Sequence, residues 1–224
     1  MRIIGGMAAG RLLKVPQGYD VRPTPDLVRQ AIFNSLGARI EGARVLDLFS
    51  GSGAIGLECL SRGASRVVSV EKAQRHAAMI RQNLEQSGLP AGCHELRVQD
   101  VLTLIHQLAA ANTEAFDLII ADPPFGEKNV GKRSRSLSQR LLDDAYLPRI
   151  LKSTGVFVLG HTRRDTLTFP ENWLRVKEMK HGDSMMEFLN APAISPPDGE
   201  TSASPPTNGP PSPADDAPRD PADR

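Results

Sequence analysis

The stretch VLDLFSGSGAIGLE, residues 45–58, decides the fold. It begins as an apolar run that we expect to form a buried strand. It continues through the small-residue loop 50–53 and ends in AIGLE, which is able to begin a helix. Glycines in such a loop allow a positive φ and a close approach of a ligand. Free N–H groups at the start of the helix are available to that ligand. The stretch therefore predicts a ligand-binding strand–loop–helix unit.

The charge beside this loop indicates which ligand it binds. The spacing of Gly51, Gly53 and Gly56 also fits the dinucleotide fingerprint, which alone is a weak signal. Asp47 argues against a pyrophosphate, because two close unit charges interact by roughly 1–4 kcal/mol. S-adenosylmethionine carries an ammonium and a sulfonium and no phosphate, so it is the favoured cofactor; a dinucleotide and a purely structural turn are the alternatives. The cofactor contacts predicted here are Asp47, Phe49, Gly51, Ser52 and Gly53.

Further cofactor contacts are predicted at the ends of other elements. Glu71 ends a predicted strand over 66–71, and Asp100 follows another over 95–98. The carboxyl ends of neighbouring strands in a doubly wound sheet meet at one crevice. We expect Glu71 to bind the ribose hydroxyls. Asp100 is expected to accept from the adenine amino group, to cap the helix predicted over 101–110, or both. Thr24 before Pro25 either caps the helix that starts there or binds the cofactor's carboxylate.

A second motif, Asp122-Pro123-Pro124-Phe125, follows a strand predicted over 116–121. Two prolines fix φ and remove backbone donors, so this corner is stiff. Asp122 and the Pro123 carbonyl are both able to accept from one NH₂ group, and Asp122 also borders the cofactor. Phe125 offers a ring for stacking on a base, worth roughly 1–3 kcal/mol. The motif predicts a site that methylates the amino group of a base; a rigid turn is the alternative.

Basic residues cluster at two places. Residues 1–20 predict two short strands across a glycine-rich connection, and residues 126–140 predict a basic loop beside the second motif. We expect these residues to contact RNA phosphates; a solvated edge and a solvated connection are the alternatives. The predicted RNA contacts are Arg2, Arg11, Lys14, Arg22, Lys128, Lys132, Arg133 and Arg135.

The remaining pattern predicts helices over 73–87 and 138–151, a strand over 155–160, and an antiparallel pair over 173–180 and 184–189. The 34 residues of 191–224 hold ten of the chain's 18 prolines, six acids and two arginines, which leaves 25 basic and 20 acidic residues in 1–190. Such a tail buries too little apolar surface to fold, so we expect it to be disordered.

Composition bounds the class of protein. With 224 residues, 40% of them hydrophobic and 24% charged, the chain suits one sizeable globular domain. Two cysteines exclude a disulfide framework, and the five histidines lack metal-ligand spacing, so no metal is expected. The chain has no long apolar run and no export signal, so we expect a cytoplasmic protein without a membrane partner.

Taken together, these motifs resemble the bacterial RsmD-type 16S ribosomal RNA guanine-N2 methyltransferases. The resemblance covers residues 1–189 and rests on MRIIGG at the start, VRPTPDLVRQAIFN at 21–34, VLDLFSGSGAIGLE, Glu71 and DPPF. It implies an α/β Rossmann-like sheet of seven mostly parallel strands in the order 3-2-1-4-5-7-6, with helices on both faces and a small N-terminal β-hairpin. The domains would be an RNA-contacting hairpin over 1–20, an S-adenosylmethionine-dependent methyltransferase domain over 21–190, and the tail over 191–224.

The resemblance also implies an activity: methyl transfer to the N2 amino group of one guanine in 16S rRNA. The substrate would be either naked rRNA or a small-subunit assembly intermediate, and we expect the protein to be a monomer. Three alternatives stay open, namely a methyltransferase for another exocyclic amine such as adenine N6, a nicotinamide-dependent oxidoreductase, and a catalytically silent RNA-binding module.

Overall fold

The computed structural model, which describes residues 1–16, 24–124 and 132–192, contains a seven-stranded sheet. The strands are β1 (Arg44–Leu48), β2 (Arg66–Val70), β3 (His94–Arg97), β4 (Phe116–Ala121), β5 (Leu151–Thr162), β6 (Leu174–His181) and β7 (Ser184–Asn190). Their order is β3-β2-β1-β4-β5-β7-β6. β1 to β5 pair in parallel, whereas β7 runs antiparallel to both β5 and β6. The predicted Rossmann-like α/β fold with its strand order is confirmed.

Helices cover both faces of the sheet. They are α1 (Asp26–Leu36), α2 (Ala54–Ser61), α3 (Gln74–Ser87), α4 (Val101–Ala110) and α5 (Leu137–Leu142), with 3₁₀ turns at Gly37–Ile40, Ala91–Cys93 and Leu147–Ile150. Side chains alternate along a strand, so the central strands supply both cores. Val45 packs with the buried side chains of α1 and α2, whereas Leu46 packs with those of α4 and α5.

Three strands end side by side. Leu48, the last residue of β1, pairs with Val70 at the end of β2 and with Ala121 at the end of β4. The loop after β1, Glu71 and Asp122 therefore all begin at one edge of the sheet. This edge is where a parallel sheet of this type binds its ligands.

The N-terminal segment 1–16 forms a looser hairpin than predicted. A single antiparallel bridge joins Arg2 and Leu12, supported by backbone bonds from Ile3 N–H to Arg11 C=O at 2.9 Å and from Leu13 N–H to Met1 C=O at 3.0 Å. Ile3 and Leu13 are buried in the core that also contains α1 and α2. The hairpin is thus packed onto the described part of 24–190.

The predicted helix over 138–151 is wrong. α5 ends at Leu142, and β5 already begins at Leu151. Between them the Asp144 side chain accepts from the backbone N–H groups of Tyr146 and Leu147, both at 2.9 Å. Pro148 then has no N–H to continue a helix. The apolar spacing suited a helix, but these two residues redirect the chain into a 3₁₀ turn and the strand.

Candidate active site

The loop after β1 is held by a compact set of hydrogen bonds. The Ser50 hydroxyl donates to the Asp47 carbonyl at 2.8 Å and accepts from Val70 N–H at 3.0 Å. Phe49 has φ 60°, and Gly53 has φ 79° at the residue before α2. A Cβ at Gly53 would lie 3.1 Å from an Ile80 methyl, so both its conformation and its contact with α3 favour glycine. The loop is therefore preformed as predicted for a strand–loop–helix unit.

The Asp47 side chain is bonded to the start of α2. It is 1% exposed, and its Oδ2 accepts from Gly56 N–H at 3.1 Å in the first turns of α2. Burial raises the pKa of Asp47 to about 7. A Cβ at Gly56 would lie 3.0 Å from the same oxygen, so glycine here allows α2 to approach β1. The carboxylate thus ties α2 to the sheet, and its contact with a cationic ligand stays a prediction.

Glu71 joins the ends of β1 and β2. Its Oε2 accepts from Gly51 N–H at 2.9 Å, and its Oε1 accepts from Ala73 N–H at 2.8 Å. Each carboxylate oxygen has a second lone pair, so the group is able to accept further hydroxyl donors at this edge. The predicted ribose contact stays a prediction.

Asp100 caps α4. Its Oδ1 accepts from the N–H groups of Leu102 at 3.0 Å and Thr103 at 3.3 Å, while its Oδ2 lies 3.6 Å from Lys72 Nζ. The capping prediction is confirmed. The contact with an adenine amino group stays a prediction, and half of the side chain is exposed for it.

The corner after β4 holds Asp122 against Thr24. The Thr24 hydroxyl donates to Asp122 Oδ2. Burial raises the pKa of Asp122, and the hydrogen bond from Thr24 partly opposes this. Asp122 Oδ1 is buried and has no hydrogen-bond partner among the residues described. A Cβ at Gly160 of β5 would overlap this oxygen, so the glycine lets the carboxylate pack against β5.

The predicted cap of α1 is wrong. Pro25, rather than Thr24, is the residue before the helix, and it makes no side-chain capping bond. Thr24 lies one residue too early to cap α1, which frees its hydroxyl for Asp122.

One cavity joins the two predicted motifs. It is lined by Met1, Pro16, Thr24, Arg29, 49–52, Ala54, Ile55 and Asp122. The predicted loop residues Phe49, Gly51 and Ser52 thus face the same space as Asp122 and Thr24. Gly53, Glu71, Asp100 and Pro123 do not line it themselves, although each belongs to the same edge of the sheet. Phe125 lies outside the described residues.

Arg29 is a cavity residue that the motifs did not single out. Its side chain is fully buried, and Nη2 donates to the Arg2 carbonyl at 2.6 Å and to Asp26 Oδ1 at 2.9 Å. Nε and Nη1 have no hydrogen-bond acceptor in the described part of the chain; Nη1 lies 3.9 Å from Glu58 Oε2. The sequence contained a signal for this burial, because Arg29 shares a helical face with the apolar residues Ile32 and Phe33. A basic residue on an apolar face is expected to be buried with a partner.

The predicted RNA contacts that the structure describes are all exposed: Arg2, Arg11, Lys14, Lys132, Arg133 and Arg135. Arg133 pairs with Asp143 at 2.7 Å, and Lys14 Nζ lies 3.4 Å from the Gln82 side-chain oxygen. Arg22 and Lys128 fall outside the described residues. The roles of all eight stay predictions.

The described ranges hold neither a metal-binding cluster nor a membrane-spanning helix. Residues 1–16, 24–124 and 132–192 contain no group of three His, Cys, Asp or Glu side chains that would hold a metal ion. The helices within these ranges are all too short or too polar to cross a membrane.

Known proteins match most of the chain. The family model described as "Conserved hypothetical protein 95" matches residues 1–190. "Ribosomal RNA small subunit methyltransferase D" of Haemophilus influenzae is 32% identical over 182 residues, which cover 81% of this chain and 89% of that protein.

Solved structures share the fold. The Escherichia coli structure described as "Putative methyltransferase yhhF" has a TM-score of 0.71 at 28% identity and covers 86% of this chain and 98% of its own. An RNA methyltransferase from Salinibacter ruber in complex with S-adenosyl-L-homocysteine has a TM-score of 0.56 at 18% identity, covering 79% and 98%, and supports the fold alone. With its cavity, its two motifs and its match over residues 1–190, the chain belongs to the RsmD-type family of methyltransferases.

Proposed function

We propose that this protein transfers a methyl group from S-adenosylmethionine to the N2 amino group of a specific guanine in 16S rRNA. The observation that supports this proposal most directly is the cavity that joins the loop after β1 to the corner after β4. The name of the Haemophilus influenzae relative supports a substrate in small-subunit rRNA. Because the family is one of methyltransferases, the oxidoreductase alternative is set aside.

The residues present fit such a cofactor. The preformed loop offers backbone close to a ligand, and Glu71 is able to accept from ribose hydroxyls at the end of β2. The Asp122 carboxylate belongs to a residue that lines the same cavity, where it would supply negative charge close to a cationic donor. When bound, S-adenosylmethionine supplies an electrophilic methyl group on its sulfonium. The Salinibacter ruber RNA methyltransferase, which shares the fold, is itself in complex with the demethylated product, S-adenosyl-L-homocysteine.

Asp122 and Pro123 act on the amine. The lone pair of a guanine amino group is delocalised into the ring, so the enzyme must orient it. We expect the Asp122 carboxylate and the Pro123 carbonyl to accept the two N–H bonds, which directs the lone pair towards the methyl group. Such positioning supplies much of the rate enhancement. Asp122 is then placed to take the proton that the amine loses once its new N–C bond has formed.

The base has to leave its stack to reach this corner, at a cost of a few kcal/mol. Phe125 is the predicted stacking partner that offsets this cost, worth roughly 1–3 kcal/mol. Sequence-specific RNA recognition mostly uses loops and bulges, where bases are already unstacked. A single-stranded guanine within 16S rRNA is therefore the expected target.

Labelled methyl transfer tests the proposal. Unmodified small-subunit RNA and small-subunit particles are incubated with methyl-labelled donor, and the labelled nucleoside is identified by mass analysis. One N2-methylguanosine is expected, and the better of the two substrates distinguishes naked rRNA from an assembly intermediate. Label in N6-methyladenosine would favour the alternative amine, and absence of label would favour a silent RNA-binding module. The monomeric state, the cytoplasmic location and the domain boundaries stay predictions.

Asp122→Ala is the variant matched to this assay. Loss of the acceptor should abolish methyl transfer, whereas binding of S-adenosylhomocysteine, measured by calorimetry, should stay within several-fold of wild type. Wild-type turnover by this variant would remove Asp122 from the chemistry.

A further inference from the structure

One hydrogen bond connects two motifs that lie 98 residues apart. The Thr24 hydroxyl, just before α1, donates to Asp122 Oδ2, just after β4. The hydroxyl does not cap α1, because the helix begins at Asp26 and Pro25 precedes it without a side-chain bond. Within the described residues, the Thr24 hydroxyl makes one hydrogen bond, and its acceptor is the carboxylate at the candidate catalytic corner. A serine or threonine before a helix usually bonds to that helix, so this use of the hydroxyl needs another explanation.

The two carboxylate oxygens of Asp122 are consequently different. Oδ2 is bound by Thr24, whereas Oδ1 is buried without a hydrogen-bond partner in the described part of the chain. A buried acceptor without a partner is uncommon in folded proteins and often marks a functional group. Gly160 adds a second observation, because a side chain there would overlap Oδ1. The carboxylate is thus held on both sides, by the Thr24 hydroxyl at Oδ2 and by packing of Oδ1 against Gly160 of β5.

We propose that Thr24 is a positioning residue that fixes the Asp122 carboxylate at the cavity where the amine is to be methylated. This inference rests on the proposed function, since it takes Asp122 as the acceptor for that amine. The last torsion of an aspartate is broad and poorly determined by local geometry. The bond from Thr24 to Oδ2, together with the packing of Oδ1 against Gly160, restricts this rotation. Pro123 and Pro124 stiffen the backbone, so the hydroxyl supplies the restraint that the prolines do not.

The hydroxyl also acts on the protonation of Asp122. Burial raises the pKa of this carboxyl, and the donated hydrogen bond from Thr24 lowers it. Two charged side chains of neighbouring elements also matter: Arg29 of α1 lines the same cavity, and Asp47 of β1 interacts electrostatically with Asp122. Both stay unchanged in the variants below, so a difference between variants reports the hydroxyl.

Two substitutions separate positioning from other roles of Thr24. Thr24→Val keeps the shape and removes the donor, whereas Thr24→Ser keeps the donor. The first readout is the titration of the Asp122 carboxyl by carbon-13 NMR in the full-length protein without donor or RNA, assigned with Asp122→Asn. We expect a higher pKa of Asp122 in Thr24→Val than in wild type, and a value near wild type in Thr24→Ser.

The second readout is methyl transfer to unmodified small-subunit RNA as a function of pH. Thr24→Val should lower kcat by roughly 10- to 100-fold, because the acceptor loses its orientation. The pH at which activity reaches half its plateau should move upward with the NMR titration. Thr24→Ser should restore most of kcat. Calorimetry should find the dissociation constant of S-adenosylhomocysteine within several-fold of wild type in both variants.

Two results would overturn the inference. One is an Asp122 titration that is the same in wild type and Thr24→Val. The other is a Thr24→Val protein that binds S-adenosylhomocysteine much more weakly with an unchanged kcat at saturating donor, which would assign the hydroxyl to the donor's carboxylate. A wild-type protein that methylates no RNA yet shows the Thr24-dependent titration would overturn the proposed function and support the bond between Thr24 and Asp122.

Discussion

Asp47 and Asp122 end neighbouring parallel strands, and burial raises the pKa of both carboxyls. Their partners differ. Asp47 accepts from Gly56 N–H in α2, whereas Asp122 accepts from the Thr24 hydroxyl and has one buried oxygen without a hydrogen-bond partner among the described residues. An acid at a strand end is therefore not a ligand contact by position alone. Its direction decides whether it stabilises the scaffold or serves the site.

Asp47 should make stability depend on pH. Its pKa in the folded protein is about 7, above the usual 3.8, so the folded state keeps a proton that the unfolded chain releases. Stability should fall as the pH rises through this interval, on the order of 1–3 kcal/mol between pH 5 and pH 8. Asp47→Asn keeps an oxygen for Gly56 N–H and does not ionise, so its loss should be smaller. Urea unfolding of both proteins at the two pH values measures this, and equal losses would contradict it.

Gly160 should be required for catalysis rather than for donor binding. In Gly160→Ala the new Cβ would overlap Asp122 Oδ1, so the carboxylate must shift. A displacement of this size at a reacting centre costs on the order of 100-fold in rate. Steady-state methyl transfer should show this loss, and S-adenosylhomocysteine affinity should change only several-fold. Gly92→Ala, where no atom lies within 4 Å of the added Cβ, is the control. Unchanged turnover in Gly160→Ala would contradict the prediction.

Among the elements, α2 both follows the glycine loop and binds the N-terminal hairpin. Glu58, fully buried on α2, accepts from the backbone N–H groups of Ile4 at 2.6 Å and Gly5 at 2.8 Å, and from Arg62 Nε at 2.7 Å. Ser61, in the next turn, donates to the Gly5 carbonyl at 2.6 Å. The N-terminal hairpin is thus attached to the same helix that follows the glycine loop.

Glu58 should hold the hairpin in place. Glu58→Ala leaves the N–H groups of Ile4 and Gly5 and the Nε of Arg62 without their acceptor. It also removes the carboxylate that lies 3.9 Å from Nη1 of the buried Arg29. Removal of one partner from a buried ionic group typically costs about 3–5 kcal/mol. Urea unfolding should show this loss, and hydrogen exchange should speed up over residues 1–16. Glu85→Gln, an exposed substitution on α3, should stay within about 0.5 kcal/mol of wild type. Wild-type exchange of the hairpin in Glu58→Ala would contradict the attachment.

Local patterns predicted most elements closely. α4 and β4 have the bounds that their periodicity and apolar run indicated. The helix over 138–151 was mistaken because the apolar residues continue past Leu142 while Asp144 and Pro148 end the helical path. Capping and breaking residues decided this boundary against the apolar period.

In the molecule as a whole, exposed basic side chains occur on the hairpin and before α5, at both chain segments next to the candidate site. Contacts to phosphates release counterions, so each lost contact should reduce the salt dependence of RNA binding by about one unit of slope. The double variant Arg11→Ala, Lys14→Ala should bind unmodified small-subunit RNA more weakly and with a smaller slope. Filter binding over a salt series measures both.

Arg39→Ala is the control outside the hairpin, and effects are compared per positive charge, because it removes one charge and the hairpin variant removes two. Arg39 is exposed and lies shortly before β1, at the edge of the sheet opposite the cavity. Its loss should leave affinity and slope nearly unchanged. Equal effects of Arg39→Ala and of the hairpin variant would indicate nonspecific attraction to the whole surface rather than a hairpin contact.

The sequence by itself determined the sheet, the loop after β1 and the proline corner after β4, because apolar runs, glycines and prolines act over a few residues. Only the tertiary structure decided which partner each polar side chain at the site contacts. In the folded protein Asp47 accepts from Gly56 N–H, Arg29 is buried in the cavity wall, and Thr24 donates to Asp122. These contacts join segments up to 98 residues apart, and no local spacing encodes which of several possible partners a polar side chain reaches when the core closes.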